Sequence, residues 1–126
     1  MSSVHIVTDS SCDLPDSVVQ ELGITIVPLS IRFGDEEFID RVELSTDQFW
    51  AKCQASDALP ETAAPSPGAF EEAYRQAAAA GATAVVTIVI SGDLSATIEA
   101  ARSGARAVAD ELPVEVIDSR TVTLGL

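Results

Sequence analysis

The feature that most constrains the fold is a strand-like run followed at once by the pattern of a long amphipathic helix. Residues 84–90 have the sequence AVVTIVI, which is typical of a strand buried on both faces. From Leu94 to Leu112, apolar residues recur at alternating spacings of four and three, which predicts a helix over residues 94–109. Pro113 ends that pattern, and residues 114–117 predict a further strand. This order of elements indicates a strand–helix–strand unit with a parallel sheet.

Strands and helices alternate along the rest of the chain as well. Residues 4–8 predict a strand, and Pro15 and Gly23 suit the two ends of the helix that follows. Residues 24–33 are strand-like but are broken at Pro28, which predicts a kink or a sheet edge there. The early part of the chain therefore fits the same α/β pattern.

Two further helix starts can be located. Ser45 followed by Gln48 has the spacing of a capping box. Ser66 followed by Pro67 predicts an N-cap and a first helical residue, and Phe70, Tyr74 and Ala77 fall on one face of the helix that follows. Residues 55–67 contain three prolines and predict a loop between these helices.

Length and composition limit the architecture. A chain of 126 residues, 47% of them apolar, is long enough for one compact domain with its own core. The sequence contains no internal repeat and no domain boundary. It therefore predicts a single α/β domain over residues 1–126, a three-layer α/β/α sandwich with a mostly parallel sheet.

The charge excludes several partners. The net charge of -13 leaves no basic surface for nucleic acid or for an anionic membrane. No apolar run is long enough to span a bilayer, and the N-terminus lacks a signal-peptide pattern. We therefore expect a cytoplasmic protein with no nucleic-acid partner and no stable membrane insertion.

Polar side chains gather where the predicted strands end. In open α/β sheets, ligands bind beyond the carboxyl ends of the strands. The residues at these ends are Asp9, Ser10 and Ser11 after the first strand, Ser91, Gly92, Asp93 and Ser95 after the buried strand, and Asp118 and Ser119 after the last. Thr62 lies in the proline-rich loop.

Several common chemistries do not fit these residues. Both glycine-rich phosphate motifs are absent, and Gly92 is the only glycine in its loop. A serine nucleophile is disfavoured because the single histidine, His5, lies at the opposite end of its strand. We expect His5 to be a surface or hydrogen-bonded core residue. Cys12 and Cys53 form no C-x-x-C pair and are predicted to be reduced and inert.

Two interpretations of the polar cluster remain. Asp9, Asp93 and Asp118 could bind Mg²⁺, although aspartates at such positions more often cap helices or brace loops. Alternatively, hydroxyls and a helix N-terminus hold an anionic head group. Ser95, in the first turn of the 94–109 helix, and Thr62 suit that role, with simple capping as the alternative.

Five segments, in order, resemble the DegV family of bacterial fatty-acid-binding proteins. They are VTDSSCDLP at residues 7–15, Pro28-Leu29 with Asp40, TAAPSPG at residues 62–68, SGDLSAT at residues 91–97 and VIDS at residues 116–119. The resemblance covers essentially the whole chain. It implies the N-terminal domain of such a protein, with the C-terminal domain absent.

The resemblance also implies a function. Family members enclose one fatty acid, and several present its carboxylate to a separate, ATP-using fatty acid kinase subunit. Thr62 and Ser95 match the residues that contact the carboxylate. The ligand-binding residues implied or expected nearby are Thr62, Ser95, Asp9, Ser10, Ser11, Ser91 and Gly92, with Phe33, Phe38 and Ile98 along the tail. This role is not catalytic and requires no cofactor or metal.

Departures from the family pattern qualify this expectation. Ala63-Ala64 removes polar groups beside Thr62, Asp93 places a negative charge near the proposed carboxylate, and Ala96 replaces a glycine. The surface that a second domain normally covers would favour self-association. A regulatory or protein-interaction domain without lipid is the main alternative, and a Mg²⁺-dependent phosphotransferase is the third.

Overall fold

The computed structural model describes residues 3–126, which form seven strands and four α-helices. The strands are β1 (Val4–Asp9), β2 (Thr25–Val27), β3 (Ser30–Phe33), β4 (Glu36–Ile39), β5 (Glu61–Ala63), β6 (Ala84–Val89) and β7 (Val114–Asp118). The helices are α1 (Asp16–Leu22), α2 (Thr46–Ala55), α3 (Pro67–Ala79) and α4 (Thr97–Ala107). Short 3-10 turns lie at Ser10–Cys12 and Thr123–Gly125.

The main sheet has the strand order β2-β1-β6-β7, and all of its strand pairs are parallel. The connection through α1 leads from β1 to one edge, whereas the connection through α4 leads from β6 to the other. Because such crossovers are right-handed, α1 and α4 lie on opposite faces, and α3 packs against α4. The predicted α/β architecture, a parallel sheet flanked by helices, is confirmed. Ligands of such sheets bind between the strands where the order reverses, here β1 and β6.

A second sheet is antiparallel. Its β3–β4 hairpin agrees with the hairpin turn that Gly34-Asp35 predicts, whereas its pairing with β5 was not predicted. Its order is β4-β3-β5. The chain leaves the main sheet at Pro28, since β2 ends at Val27 and β3 begins at Ser30. The predicted break at Pro28 is therefore confirmed, and β2 is an edge strand. The prediction of an irregular loop at residues 55–67 is wrong in part, because β5 pairs with β3.

Each sheet has its own hydrophobic core. The main core lies between the parallel sheet and α3 and α4. It includes Phe70, Tyr74 and Ala77, as the spacing predicted, together with Val7, Val85, Val89, Ile98, Ala101 and Val108. The second cluster consists of Ile31, Phe33 and Leu44, with Phe38, Phe49 and Cys53 packed against it.

Strand β6 is fully buried on only one face, contrary to the sequence prediction. Val85, Thr87 and Val89 face the main core, whereas Val86 and Ile88 on the other face are half-buried. The near-continuous apolar run predicted more coverage than this face receives. A partly open apolar face therefore lies opposite α3 and α4.

The helix starts were predicted with mixed success. The capping box is present, with Ser45 Oγ accepting from Gln48 N and Gln48 Oε1 accepting from Ser45 N. Ser66 Oγ caps α3 by accepting from Ala69 N. The helix predicted over residues 94–109 begins only at Thr97, and Leu94 is 67% exposed. Apolar periodicity could not locate this start, because the amides of residues 93–95 bond to Ser91 in a turn instead.

The histidine and cysteine predictions can also be checked. His5 Nε2 shares a 2.8 Å hydrogen bond with Thr25 Oγ1, which confirms a hydrogen-bonded histidine. Cys12 and Cys53 are both free thiols. Burial raises the pKa of Cys12, which keeps the thiol protonated and lowers its reactivity. None of the helices in residues 3–126 is long and apolar enough to cross a membrane.

Candidate functional site

The polar residues after β1 and β6 form one rim at the switch point of the main sheet. The two strands are direct neighbours, with Thr8 paired to Ile88. The loops that follow them therefore start side by side. This brings the residues after Asp9 close to those after Val89, as the sequence predicted from strand ends alone.

Asp9 joins the two loops and is fully buried. Its Oδ1 accepts from the backbone N of Ser11 at 2.9 Å and from the Ser11 hydroxyl. Its Oδ2 accepts from Ile90 N at 2.8 Å. Both carboxylate oxygens are thus occupied by protein donors, so Asp9 braces the rim. Within residues 3–126, no three His, Cys, Asp or Glu side chains cluster as a metal site would require.

Ser10 connects this rim to the second sheet. Its hydroxyl is buried and accepts from Leu29 N at 3.0 Å, immediately before β3. Nearby, burial raises the pKa of Asp40, while a hydrogen bond from Ser10 and the charge of Arg41 oppose that rise. A cleft of about 460 Å³ opens beside these residues. Ser10 therefore sets where the second sheet begins relative to the rim.

Ser95 lies just before α4, not in its first turn. Its Oγ accepts from Thr97 N at 3.2 Å and shares a 2.8 Å hydrogen bond with Thr97 Oγ1. The prediction of a position inside the helix is wrong because the helix starts two residues later. The hydroxyl still points toward the helix N-terminus, and its side chain is half-buried. It can cap the helix and retain capacity for a ligand, since a hydroxyl has one donor and two acceptor sites.

The turn that carries Ser95 is organised around Ser91. The Ser91 carbonyl accepts from Leu94 N at 3.0 Å and from Ser95 N at 3.2 Å. Its side-chain Oγ accepts from Asp93 N at 3.2 Å. Asp93 itself is exposed. Ser91, which is 5% exposed, therefore shapes the site from within.

Asp118 anchors this turn from the neighbouring strand, a contact that the sequence did not predict. Its Oδ1 accepts from Gly92 N at 3.1 Å and from Arg120 N at 2.9 Å. These two bonds hold the pKa of Asp118 below its usual value. The sequence indicated only that Asp118 follows a strand end and would bind a metal or brace a loop. Its bonds to two backbone amides are of the bracing kind.

Thr62 lies on the second sheet, in β5, and is exposed. It is paired with Ile31, two residues beyond Leu29, which is bonded to the rim through Ser10. No hydrogen bond joins Thr62 to Ser95 in the described part of the chain. The structure therefore assembles six of the seven predicted residues along one rim and places Thr62 on the sheet attached to it.

The residues predicted to line a lipid tail do not share one cavity within residues 3–126. Phe33 and Phe38 belong to the second cluster, whereas Ile98 belongs to the main core. A different apolar cavity of about 120 Å³ lies on the open face of the main sheet. It is lined by Ile6, Thr8, Cys12, Leu14, Ile24, Ile88, Thr123, Leu124 and Leu126. The alternation of side chains between the two faces of β1 and β6 could have indicated this cavity, because Ile6 and Ile88 point away from the main core.

The fold and the rim define a class: an α/β domain with a candidate site of hydroxyls and backbone amides at the switch point of a parallel sheet. The family model described as an uncharacterised protein of the DegV family matches residues 3–126. The chain belongs to the DegV family, as the sequence motifs indicated.

Curated relatives show how much of such a protein the chain represents. It is 36% identical to a DegV domain-containing protein of Clostridium perfringens over the whole chain, which is 44% of that protein. It is 42% identical to one of Deinococcus radiodurans over 98% of the chain and 43% of that protein. The chain therefore spans a little under half the length of these relatives.

Solved structures have the same fold. A DegV family protein from Thermus thermophilus, described for its fatty acid binding, has a TM-score of 0.84 and 32% identity over 96% of this chain and 42% of its own. A stearic acid-binding protein from Eubacterium ventriosum has a TM-score of 0.87 and 28% identity over 96% of this chain and 43% of its own. DegV from Bacillus subtilis, a fatty acid binding protein, has a TM-score of 0.90 and 26% identity over 98% of this chain and 43% of its own.

Proposed function

We propose that this chain is the part of a fatty-acid-binding protein that holds the carboxylate of the bound acid. The observation that carries the proposal is the hydroxyl-rich rim at the β1–β6 switch point, in a chain whose structural relatives are described as binding fatty acids. The ligand is a long-chain fatty acid. The chain acts as a carrier and not as a catalyst.

The head group would be held by hydroxyls and a helix terminus. Ser95 lies at the N-terminus of α4, where the partial positive charge of the helix end favours an anion. Thr62 would approach from the second sheet as a second donor. Asp9 and Ser10 would take part by holding the loops and the second sheet in place, since their side chains are committed to protein donors.

The tail would supply most of the affinity, because each buried methylene contributes about 0.8 kcal/mol. The cavity beside Ile6 and Ile88 has a volume of about 120 Å³. It can hold part of an acyl chain but not a long one. We therefore propose that further walls come from protein beyond this domain.

Presentation of the bound carboxylate to a kinase subunit is the finer part of the proposal. The exposed rim supports it, because Gly92 and Asp93 leave the turn accessible from outside. The phosphoryl group would be transferred from ATP in the partner subunit. Because that subunit would need ATP, we also propose a cytoplasmic location. The carrier would contribute only the bound substrate.

Two substitutions test the head-group assignment in the protein at its full natural length. Ser95→Ala combined with Thr62→Ala is expected to weaken fatty acid binding by about 100-fold or more, since each of the two lost hydrogen bonds to a charged group contributes about 1.5–3 kcal/mol. The affinity for a labelled palmitate is measured by titration, after lipid extraction and mass spectrometry of the wild type. Folding is monitored by circular dichroism.

The matched control is Ser103→Ala combined with Thr83→Ala, which removes the same groups away from the rim, since Thr83 is exposed at the opposite end of β6. It should bind as the wild type does. An unchanged affinity in the Ser95 and Thr62 variant would remove these residues from the site. A wild-type protein that carries and binds no acyl chain would overturn the function itself.

Exposed apolar side chains favour a second candidate, a protein-interaction domain without lipid. The most exposed are Leu59 at 87%, Val42 at 74%, Leu94 and Leu124 at 67%, and Leu22 at 65%. Such surfaces often mark protein contacts. If this candidate is correct, lipid-free protein should self-associate in sedimentation velocity, and added palmitate should not change its sedimentation. Dissociation on palmitate addition would favour the lipid-binding function.

A further inference from the structure

We propose that Asp118 is a positioning residue for the candidate head-group site. Its carboxylate holds the backbone of Gly92, so that the turn at residues 91–95 carries the Ser95 hydroxyl to the ligand. The inference rests on the fatty-acid-binding function proposed above. It adds a residue of β7 to a site otherwise built from β1, β6 and the second sheet.

The first observation is how tightly the loop after β7 is joined to the loop after β6. Asp118 Oδ1 accepts from Gly92 N and from Arg120 N. Ser91 N donates to Thr121 O at 2.9 Å, and Ser119 N donates to Val89 O at 3.1 Å. The two loops are thus bonded at three successive points. Any displacement of residues 118–121 would be passed to residues 89–92.

The second observation is that a side chain at Gly92 would displace the Asp118 carboxylate. A Cβ at this position would lie 2.9 Å from Asp118 Oδ2 and 3.3 Å from Ile98 Cγ2. Gly92 does not adopt a positive φ, so backbone conformation does not explain the glycine. The close approach of Asp118 does. A glycine and an aspartate from distant parts of the sequence therefore fit one another.

The turn transmits this restraint to Ser95. The Ser91 carbonyl accepts from both Leu94 N and Ser95 N, and the Ser91 hydroxyl accepts from Asp93 N. Ser95 in turn bonds to Thr97 at the start of α4. The turn is therefore one hydrogen-bonded unit, and Asp118 holds it at Gly92. Loss of that hold should let Ser95 leave the position in which it faces a ligand.

The charge of Asp118 and its hydrogen bonds to the loop have opposite effects on the affinity for an anionic ligand. An anion near the site would by itself repel a fatty acid carboxylate, so removing only the charge should not weaken binding. Arg120 and Arg102 are the nearest cations that act on Asp118. Asparagine keeps an acceptor oxygen for Gly92 N and Arg120 N without the charge, whereas alanine keeps neither.

The test compares four variants in the protein at its full natural length. Asp118→Ala and Gly92→Ala are expected to weaken palmitate binding by about five- to fifty-fold, roughly the loss of one charge-assisted hydrogen bond from Ser95 to the carboxylate. Asp118→Asn should restore most of that loss. Glu115→Ala, which removes an exposed charge from the same strand, is the matched control. Amide hydrogen exchange at residues 92–95 should accelerate in the first two variants only.

The outcomes separate this inference from the function on which it rests. If the wild type binds palmitate and Asp118→Ala binds it equally well, the positioning role is wrong and the function stands. The same conclusion follows if Asp118→Asn is as weak as Asp118→Ala. If the wild type binds no palmitate, the proposed function fails, and the positioning role fails with it.

Discussion

Replacement of Asp9 by alanine is expected to lower the free energy of unfolding by about 3–5 kcal/mol, since it would leave partly buried backbone donors without an acceptor. The affected donors are Ser11 N and Ile90 N, which now bond to the two carboxylate oxygens. Asp9 is fully buried, so water cannot easily replace it. Asparagine should be less harmful, at about 2–3 kcal/mol, because its amide oxygen can replace one carboxylate oxygen as an acceptor. Some destabilisation remains, since its NH2 group can only donate.

Urea unfolding monitored by circular dichroism measures this effect. Asp93→Ala is the matched control, because Asp93 is an exposed carboxylate on the same rim, and it should shift the free energy by less than about 0.5 kcal/mol. Equal effects of the two variants would refute the bracing role of Asp9. If Asp9 were instead a Mg²⁺ ligand, the difference between wild type and variant would appear only when millimolar Mg²⁺ is added.

Replacement of Gly104 by valine is expected to destabilise the fold by about 2–4 kcal/mol through overpacking between α3 and α4. A Cβ at Gly104 would lie 2.9 Å from both Glu71 N and Phe70 Cβ, and 3.0 Å from Pro67 O. Two of these atoms belong to the backbone, which cannot rotate away. The helices would have to separate, and the fully buried Phe70 and Ala101 would lose packing.

Two alanine variants calibrate this prediction by thermal and urea unfolding. Gly104→Ala should be milder than valine, because its smaller side chain regains about 1 kcal/mol of helix propensity. Gly68→Ala is the control, since a Cβ there meets only Ser66 Oγ at 3.8 Å, and it should be neutral or stabilising. A Gly104→Val variant as stable as the wild type would show that α3 and α4 are not closely packed.

The strand ends could be predicted from the sequence because each is marked by a change from apolar to hydroxyl-rich residues. That change located Asp9, Ser10, Ser91 and Ser95 near one another once the sheet was taken to be parallel. The start of α4 could not be predicted in the same way. Leu94 continues the apolar spacing, yet the amides at residues 94 and 95 bond to Ser91 and form a turn.

Thr62 illustrates a different limit. Its segment is short and contains no strand pattern, and β5 forms only because β3 offers an edge with which to pair. Pairing of this kind depends on a partner more than twenty residues away, which local propensity does not contain. The cavity beside Ile6 and Ile88 has the same origin, because the C-terminal leucines complete it.

The sequence by itself determined the α/β class, the core face of α3, the break at Pro28 and the rim on which the polar residues meet. Each of these follows from local periodicity, or from where strands end, so neighbouring residues contain the information. Only the tertiary structure decided that Asp9 is a brace, that Gly92 fits against Asp118 and that Thr62 stands on a second sheet. These depend on contacts between residues far apart in the chain, where distance and burial choose among roles that the residue types leave open.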